Sequence, residues 1–279
     1  MIPPVALPDG TRVPAVGQGT WYMGDRAAQA KREADALRLG IDLGMTLIDT
    51  AEMYADGGAE TVVGQAIAAQ RDRVFVVSKV YPHNASRRGV QEACARSLRR
   101  MKTDTIDLYL LHWPGSYPIS ETIAGFEALR KAGHIRRWGV SNFDEAGMRG
   151  VTGANDGDAC ATDQVLYNPD QRGIEFDLLP WCAARRIPVM AYSPVGQAGR
   201  LLRSPALASV GKRHGASPAQ VAIAWAIRGG NVIAIPKAAD PAHVRENAEA
   251  CALALTEADL AEIDAAHPPP ARKQHLAML

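Results

Sequence analysis

The chain has 279 residues, 47% of them apolar and 22% charged, with 31 Lys and Arg against 30 Asp and Glu for a net charge of +1. This is the composition of a globular protein with a large core, and its near-neutral balance gives nucleic acid or an anionic membrane no electrostatic handle. No apolar stretch reaches the roughly 18 residues of a membrane helix, Met1-Ile2-Pro3-Pro4 does not read as a signal peptide, and Cys94, Cys160, Cys182 and Cys251 form no Cys-x-x-Cys pair, so a cytoplasmic protein with reduced thiols and no metal site is expected.

The run Leu7-Pro8-Asp9-Gly10-Thr11-Arg12-Val13 sets an Asp-Gly turn between short apolar arms and predicts a β-hairpin. Short apolar runs and amphipathic stretches then alternate. Strands are expected at 15–19, 46–49, 74–79, 106–112, 136–141, 161–165, 188–193 and 232–236. Helices are expected at 27–44, 59–69, 86–101, 119–132, 144–150, 174–186, 205–228 and 241–250. In the third, Val90, Cys94 and Leu98 share one face. A last helix at 256–266 opens on Thr256 with Asp259 three residues on, which resembles a capping box. The tail from Pro268-Pro269-Pro270 cannot begin as helix and is expected to cover part of the site. Continuous apolar strands alternating with helices imply a parallel sheet with right-handed crossovers. Eight such units favour an α/β fold of the closed (β/α)8 TIM-barrel type over an open sheet, as one domain spanning 1–279, with the hairpin plugging the barrel bottom.

Four polar residues stand at or just beyond the C-terminal ends of three of these strands: Asp49 and Tyr54, Lys79, and His112. That is the end of a barrel where catalytic side chains collect. Taken singly, each has an ordinary structural role: Asp49 a cap or ion pair, Tyr54 a surface tyrosine, His112 a satisfied core histidine. Together they describe a proton donor for a carbonyl oxygen. A free phenol has a pKa of about 10; an adjacent Lys79 ammonium is expected to lower it, with Asp49 holding the lysine and a neutral His112 orienting the carbonyl.

The motifs Gly17-Gln18-Gly19-Thr20-Trp21, Asp49-Thr50-Ala51-Glu52-Met53-Tyr54, Ser78-Lys79-Val80, Leu111-His112-Trp113-Pro114, Gly139-Val140-Ser141-Asn142-Phe143, Gln164 with Tyr167-Asn168-Pro169, Ala191-Tyr192-Ser193-Pro194 and Ile235-Pro236-Lys237 occur in order along the chain. In them the sequence resembles an aldo-keto reductase from end to end. In detail it is most similar to a bacterial subgroup associated with methylglyoxal and other small aldehydes. The resemblance assigns Asp49, Tyr54, Lys79 and His112 the four roles just given. It implies reduction of aldehydes or ketones by hydride transfer from NADPH, with NADH a second candidate, in a monomer acting on small carbonyl compounds. Alcohol oxidation by the same residues and a cofactor-binding regulatory subunit are the alternatives.

No Gly-x-Gly-x-x-Gly opens a helix, which disfavours a Rossmann site. The resemblance instead implies a dinucleotide extended across the barrel mouth along Gly19, Thr20 and Trp21. Ser141, Asn142 and Gln164 would bond the carboxamide, supplying both donors and acceptors, and Tyr192, followed by Ser193, would stack on the ring. Lys237, ahead of the Asp240-Pro241 helix start, would meet the 2′-phosphate and Asn247 the adenine. Many members carry Ser or Thr after that lysine and Arg six residues after it; here Ala238 and His243 stand there, which weakens the preference for NADPH. Trp21, Tyr22, Met53, Tyr81 and Trp113 are the implied pocket walls. The short tail suggests an open site for small or varied substrates.

Overall fold

The computed structural model describes residues 1–279. Strands β1 (Pro4–Ala6) and β2 (Arg12–Pro14) form the antiparallel hairpin. Eight parallel strands follow: β3 (Gln18–Gly19), β4 (Leu47–Asp49), β5 (Phe75–Val80), β6 (Ile106–Leu111), β7 (Ile135–Ser141), β8 (Cys160–Leu166), β9 (Val189–Tyr192) and β10 (Val232–Ala234). The sheet closes between its first and last strands: Gly17 N donates to Ala234 O at 2.8 Å and Gly19 N to Pro236 O at 3.0 Å. A Cβ on Gly19 would lie 2.8 Å from Ile235 O, so this seam needs glycine.

Side chains alternate along each strand. Val77, Leu108 and Met190 point into the barrel, where Val5, Leu7 and Val13 of the hairpin pack against them; the plug is therefore a packed core layer. Val76, Tyr109 and Val140 point outward against the helices. The inward phase carries Asp49 two residues beyond Leu47, and Lys79 two beyond Val77, to the C-terminal mouth. One irregularity matters. Trp138 pairs with Cys160 and Val140 with Asp163, so three steps on β8 oppose two on β7. This bulge resets the phase of β8. Gln164, paired with inward Met190, faces the barrel interior, and Asp163, paired with outward Val189, faces the helices.

The helices are α1 (Ala30–Asp42), α2 (Gly58–Ile67), α3 (Arg87–Met101), α4 (Ile119–Lys131), α5 (Glu145–Thr152), α6 (Leu178–Ala184), α7 (Pro205–His214), α8 (Pro218–Ile227), α9 (Pro241–Glu249) and α10 (Glu257–Ala266). The single helix expected at 205–228 is two. Gly215 at φ +63° ends α7, and Ser217 with Gln220 forms a capping box for α8, with Pro218 at its first position. The expected 174–186 helix begins only at Leu178, whose N–H the Asp177 carboxylate accepts. Thr256 and Asp259 form a capping box at α10. No helix is long and apolar enough to cross a membrane.

Candidate active site

Lys79 is fully buried near the end of β5, and its ammonium has three donors and three acceptors. Nζ lies 2.7 Å from Asp49 Oδ2, 2.9 Å from Thr50 O and 3.1 Å from Tyr54 Oη. An ammonium only donates, so the Tyr54 oxygen accepts here and its own O–H remains free. Tyr54 begins a 3-10 turn, Tyr54–Gly57, in which Ala55 and Asp56 adopt left-handed backbone angles (φ 51° and 49°). His112 follows β6, its N–H bonded to Val80 O at 3.0 Å, and its ring meets Tyr54 edge-on at 5.7 Å.

Burial dominates the electrostatics. It pushes the Asp49 carboxyl up, against the pull of the Lys79 ammonium and the Gln164 amide. Burial alone would lower Lys79, but the charges of Asp49 and Tyr54 reverse this and hold the ammonium above its ordinary value. His112 is driven well below the usual imidazole range by burial and by the Lys79 charge, so its ring is neutral. Tyr54 departs from the expectation. Burial raises the phenol by more than Lys79 lowers it, and Asp49 raises it further, so the net shift is upward. Tyr54 therefore stays protonated through neutrality.

A cavity of about 300 Å³ opens over these residues. Asp49, Tyr54 and His112 line it; Lys79 sits behind them. Of the expected cofactor residues, Gly19, Thr20, Trp21, Ser141, Asn142, Gln164, Tyr192, Ser193 and Lys237 line it, whereas His243 and Asn247 do not. Those two lie one turn apart on α9, His243 exposed and Asn247 buried. Asp240 caps α9, accepting from Ala242 N at 2.9 Å, and pairs with Arg32 of α1 at 3.3 Å.

Of the expected pocket walls, Trp21, Tyr22, Met53 and Trp113 line the cavity. Trp21 and Tyr22 stack at 4.6 Å. Their loop reaches the Tyr54 turn because Gly24, at φ +79°, lies so close to Gly58 that a Cβ would be 2.3 Å from its carbonyl carbon. Tyr81 does not line the cavity. It stands edge-on behind Trp113 at 5.7 Å, its N–H held by the buried Glu52 carboxylate at 2.9 Å. Sequence reasoning missed Val195, Gln197 and Ala198 of the loop after β9, and Met278 and Leu279 of the tail. The expectation that the tail covers part of the site holds. His267 anchors it, its ring 2.8 Å from both Asp170 Oδ1 and Ser204 Oγ, and Lys273 pairs with Asp177 at 2.9 Å.

The amide and hydroxyl groups at the cavity floor are largely committed within the protein. Ser141 Oγ donates to Gln164 O at 2.7 Å; Asn142 Nδ2 donates to His112 O at 3.1 Å and Ser141 Oγ at 3.2 Å. Gln164 Nε2 donates to Asp49 Oδ1 at 2.7 Å and lies 2.8 Å from Met190 Sδ. Asn142 Oδ1 in turn accepts from the Tyr192 hydroxyl at 2.9 Å, so of the three side chains only the Gln164 oxygen is left without a partner in the protein. Asn142 and Ser193 hold left-handed backbone angles (φ 63° and 48°), which places strained peptides at the rim.

A (β/α)8 barrel with an acid–base cluster around one cavity at the strand ends, and no Gly-rich dinucleotide turn, defines a barrel oxidoreductase. A match to the Aldo/keto reductase family spans residues 15–268, and the chain belongs to that family. Methylglyoxal reductase YeaE of Escherichia coli (strain K12) is 55% identical over 271 residues, covering 96% of this chain and 95% of the relative. An aldo-keto reductase of Mycobacterium avium (strain 104) is 33% identical over 273 residues, covering 95% and 90%. Among solved structures, an aldo-keto reductase from Klebsiella pneumoniae in complex with NADPH superimposes with a TM-score of 0.98 at 51% identity, both chains fully covered.

Proposed function

We propose that this chain reduces small aldehydes and ketones to alcohols with NADPH, methylglyoxal among them, and that Tyr54 is the proton donor. The observation that carries the reading is the saturated Lys79 ammonium, which bonds the Tyr54 oxygen and leaves the hydroxyl hydrogen free beside the cavity. The residues present fit a nicotinamide dinucleotide: a polar floor at Ser141, Asn142 and Gln164 with the Gln164 oxygen unpaired, an aromatic Tyr192, and a cavity that runs to Lys237. When bound, that group supplies the hydride.

The protein's own residues do the rest. Trp21, Met53 and Trp113 give the substrate an apolar wall without a cation to select a carboxylate. Neutral His112 orients the carbonyl oxygen toward Tyr54, which protonates it as negative charge develops. The raised phenol keeps its proton at neutral pH, where the more basic developing alkoxide can take it, and alcohol oxidation, which needs the phenolate, is favoured as solution becomes alkaline. The methylglyoxal preference draws on the Escherichia coli relative's activity, and the cofactor on the Klebsiella pneumoniae complex. Steady-state rates with methylglyoxal and a panel of small aldehydes, against NADPH and NADH, test the proposal. Absence of turnover with every aldehyde and both cofactors refutes it.

A further inference from the structure

Gln164 is 1% exposed, yet its side chain reaches the cavity. Its two amide hydrogens have two fixed destinations. One meets Asp49 Oδ1 at 2.7 Å and the other faces Met190 Sδ at 2.8 Å. A carboxylate and a thioether accept and cannot donate, so both neighbours demand the same amide orientation. The Gln164 oxygen has no protein partner and is left to the cavity. Asp49 thus serves two groups at once: Oδ2 holds the Lys79 ammonium at 2.7 Å, and Oδ1 holds the amide of Gln164.

We propose that Asp49 is a positioning residue for the cofactor ring as well as the partner of Lys79. By fixing Gln164 with its oxygen toward the cavity, it makes the site select a ring substituent that carries an N–H donor. A primary carboxamide meets that demand. An acetyl group, which has the carbonyl but no N–H, leaves a buried acceptor unpaired, and that is costly. The inference rests on reading the cavity as the nicotinamide site. It also states what an amide in place of Asp49 would do. The ammonium would keep the Asn oxygen, turning Nδ2 toward Gln164 and forcing the glutamine amide to flip. The cavity would then meet a donor, which serves the carbonyl of either substituent.

The test is a pair of binding titrations, read by quenching of Trp21 and Trp113, with NADP+ and its 3-acetylpyridine analogue. Wild type should prefer NADP+ by roughly tenfold, the scale of one net hydrogen bond. Asp49→Asn should bring the two affinities within about twofold. Tyr54→Phe, which loses reduction but keeps the Lys79–Asp49 pair and the Asp49 carboxylate, should retain the wild-type ratio. A residue needed only for folding would weaken both ligands together and leave the ratio alone. If circular dichroism shows Asp49→Asn unfolded, Gln164→Met takes its place beside Tyr54→Phe: the ratio must collapse in the first and hold in the second. A wild type that binds neither dinucleotide overturns the cavity assignment itself. A wild type that binds both equally, or an Asp49→Asn protein that keeps the wild-type ratio, overturns this inference and leaves that assignment standing.

Discussion

Asp163→Asn should stabilise the protein, and increasingly so as pH rises. The bulge in β8 turns Asp163 away from the barrel interior and buries it completely. One carboxyl oxygen is 3.4 Å from Phe143 N, and the other has no partner. Burial, aided by the Asp144 charge and opposed by the Phe143 N–H, raises the group well above the ordinary aspartate value, so the folded state keeps its proton. The unfolded chain releases that proton above a pKa of about 3.9. A folded-state pKa that is raised gives stability fully present below the unfolded pKa and lost as pH climbs through the folded value. Within that window the loss is about 1.4 kcal/mol per pH unit. Asparagine has the same shape, keeps an oxygen for Phe143 N and does not titrate. The stability of Asp163→Asn relative to wild type should therefore rise by about 1.4 kcal/mol per pH unit from about pH 5 upward, or roughly 2–4 °C in Tm for each kcal/mol. Denaturant unfolding of both proteins at closely spaced pH values, followed by circular dichroism, measures the difference. A difference that does not change with pH would refute the buried, protonated Asp163.

Tyr54→Phe should lower single-turnover aldehyde reduction by roughly 100- to 10,000-fold with NADPH affinity kept; a near-normal rate removes Tyr54 from the mechanism. Lys79→Met should abolish most reduction and move the alkaline limb of the residual pH–rate profile to higher pH, because the phenol loses the cation that lowers it; an unmoved limb contradicts this electrostatic role. NADPH should bind more tightly than NADH by only about 1–3 kcal/mol, with Lys237→Ala narrowing the gap and His243→Arg widening it. Equal affinities in the wild type, or equal weakening of both cofactors by Lys237→Ala, would show that Lys237 does not meet a phosphate.

The barrel and its candidate catalytic cluster were legible because burial on both faces makes parallel strands continuous apolar runs, and Asp49, Lys79 and His112 interrupt or end such runs. The 205–228 helix was misjudged because its apolar spacing runs on through Gly215-Ala216-Ser217-Pro218; the turn residues, not the periodicity, decide there. The direction of the Tyr54 shift escapes the sequence because its burial is made by residues remote along the chain, such as Trp21, whose ring lies 6.5 Å away. Tyr81 was assigned to the wall on position alone, whereas its aim is set by Glu52 and Trp113. Gln197, Ala198, Met278 and Leu279 carried no local signal. They reach the cavity through contacts such as that of His267 with Asp170 and Ser204, more than sixty residues apart in each case.

The extra residue in β8 makes the chemistry at the cavity floor a matter of chain length as well as residue identity. Gln164 and Asp163 are neighbours, and only the phase of the strand decides which is presented to a ligand and which is hidden. Plain alternation running on from outward Cys160 without the bulge would exchange them, bringing a carboxyl to the floor and sending the amide among the helices, whereas removing Thr162 takes out the extra residue itself and leaves both facing as they do now. Any redesign of the site by transplanting β8 must count residues from Cys160 before it compares them.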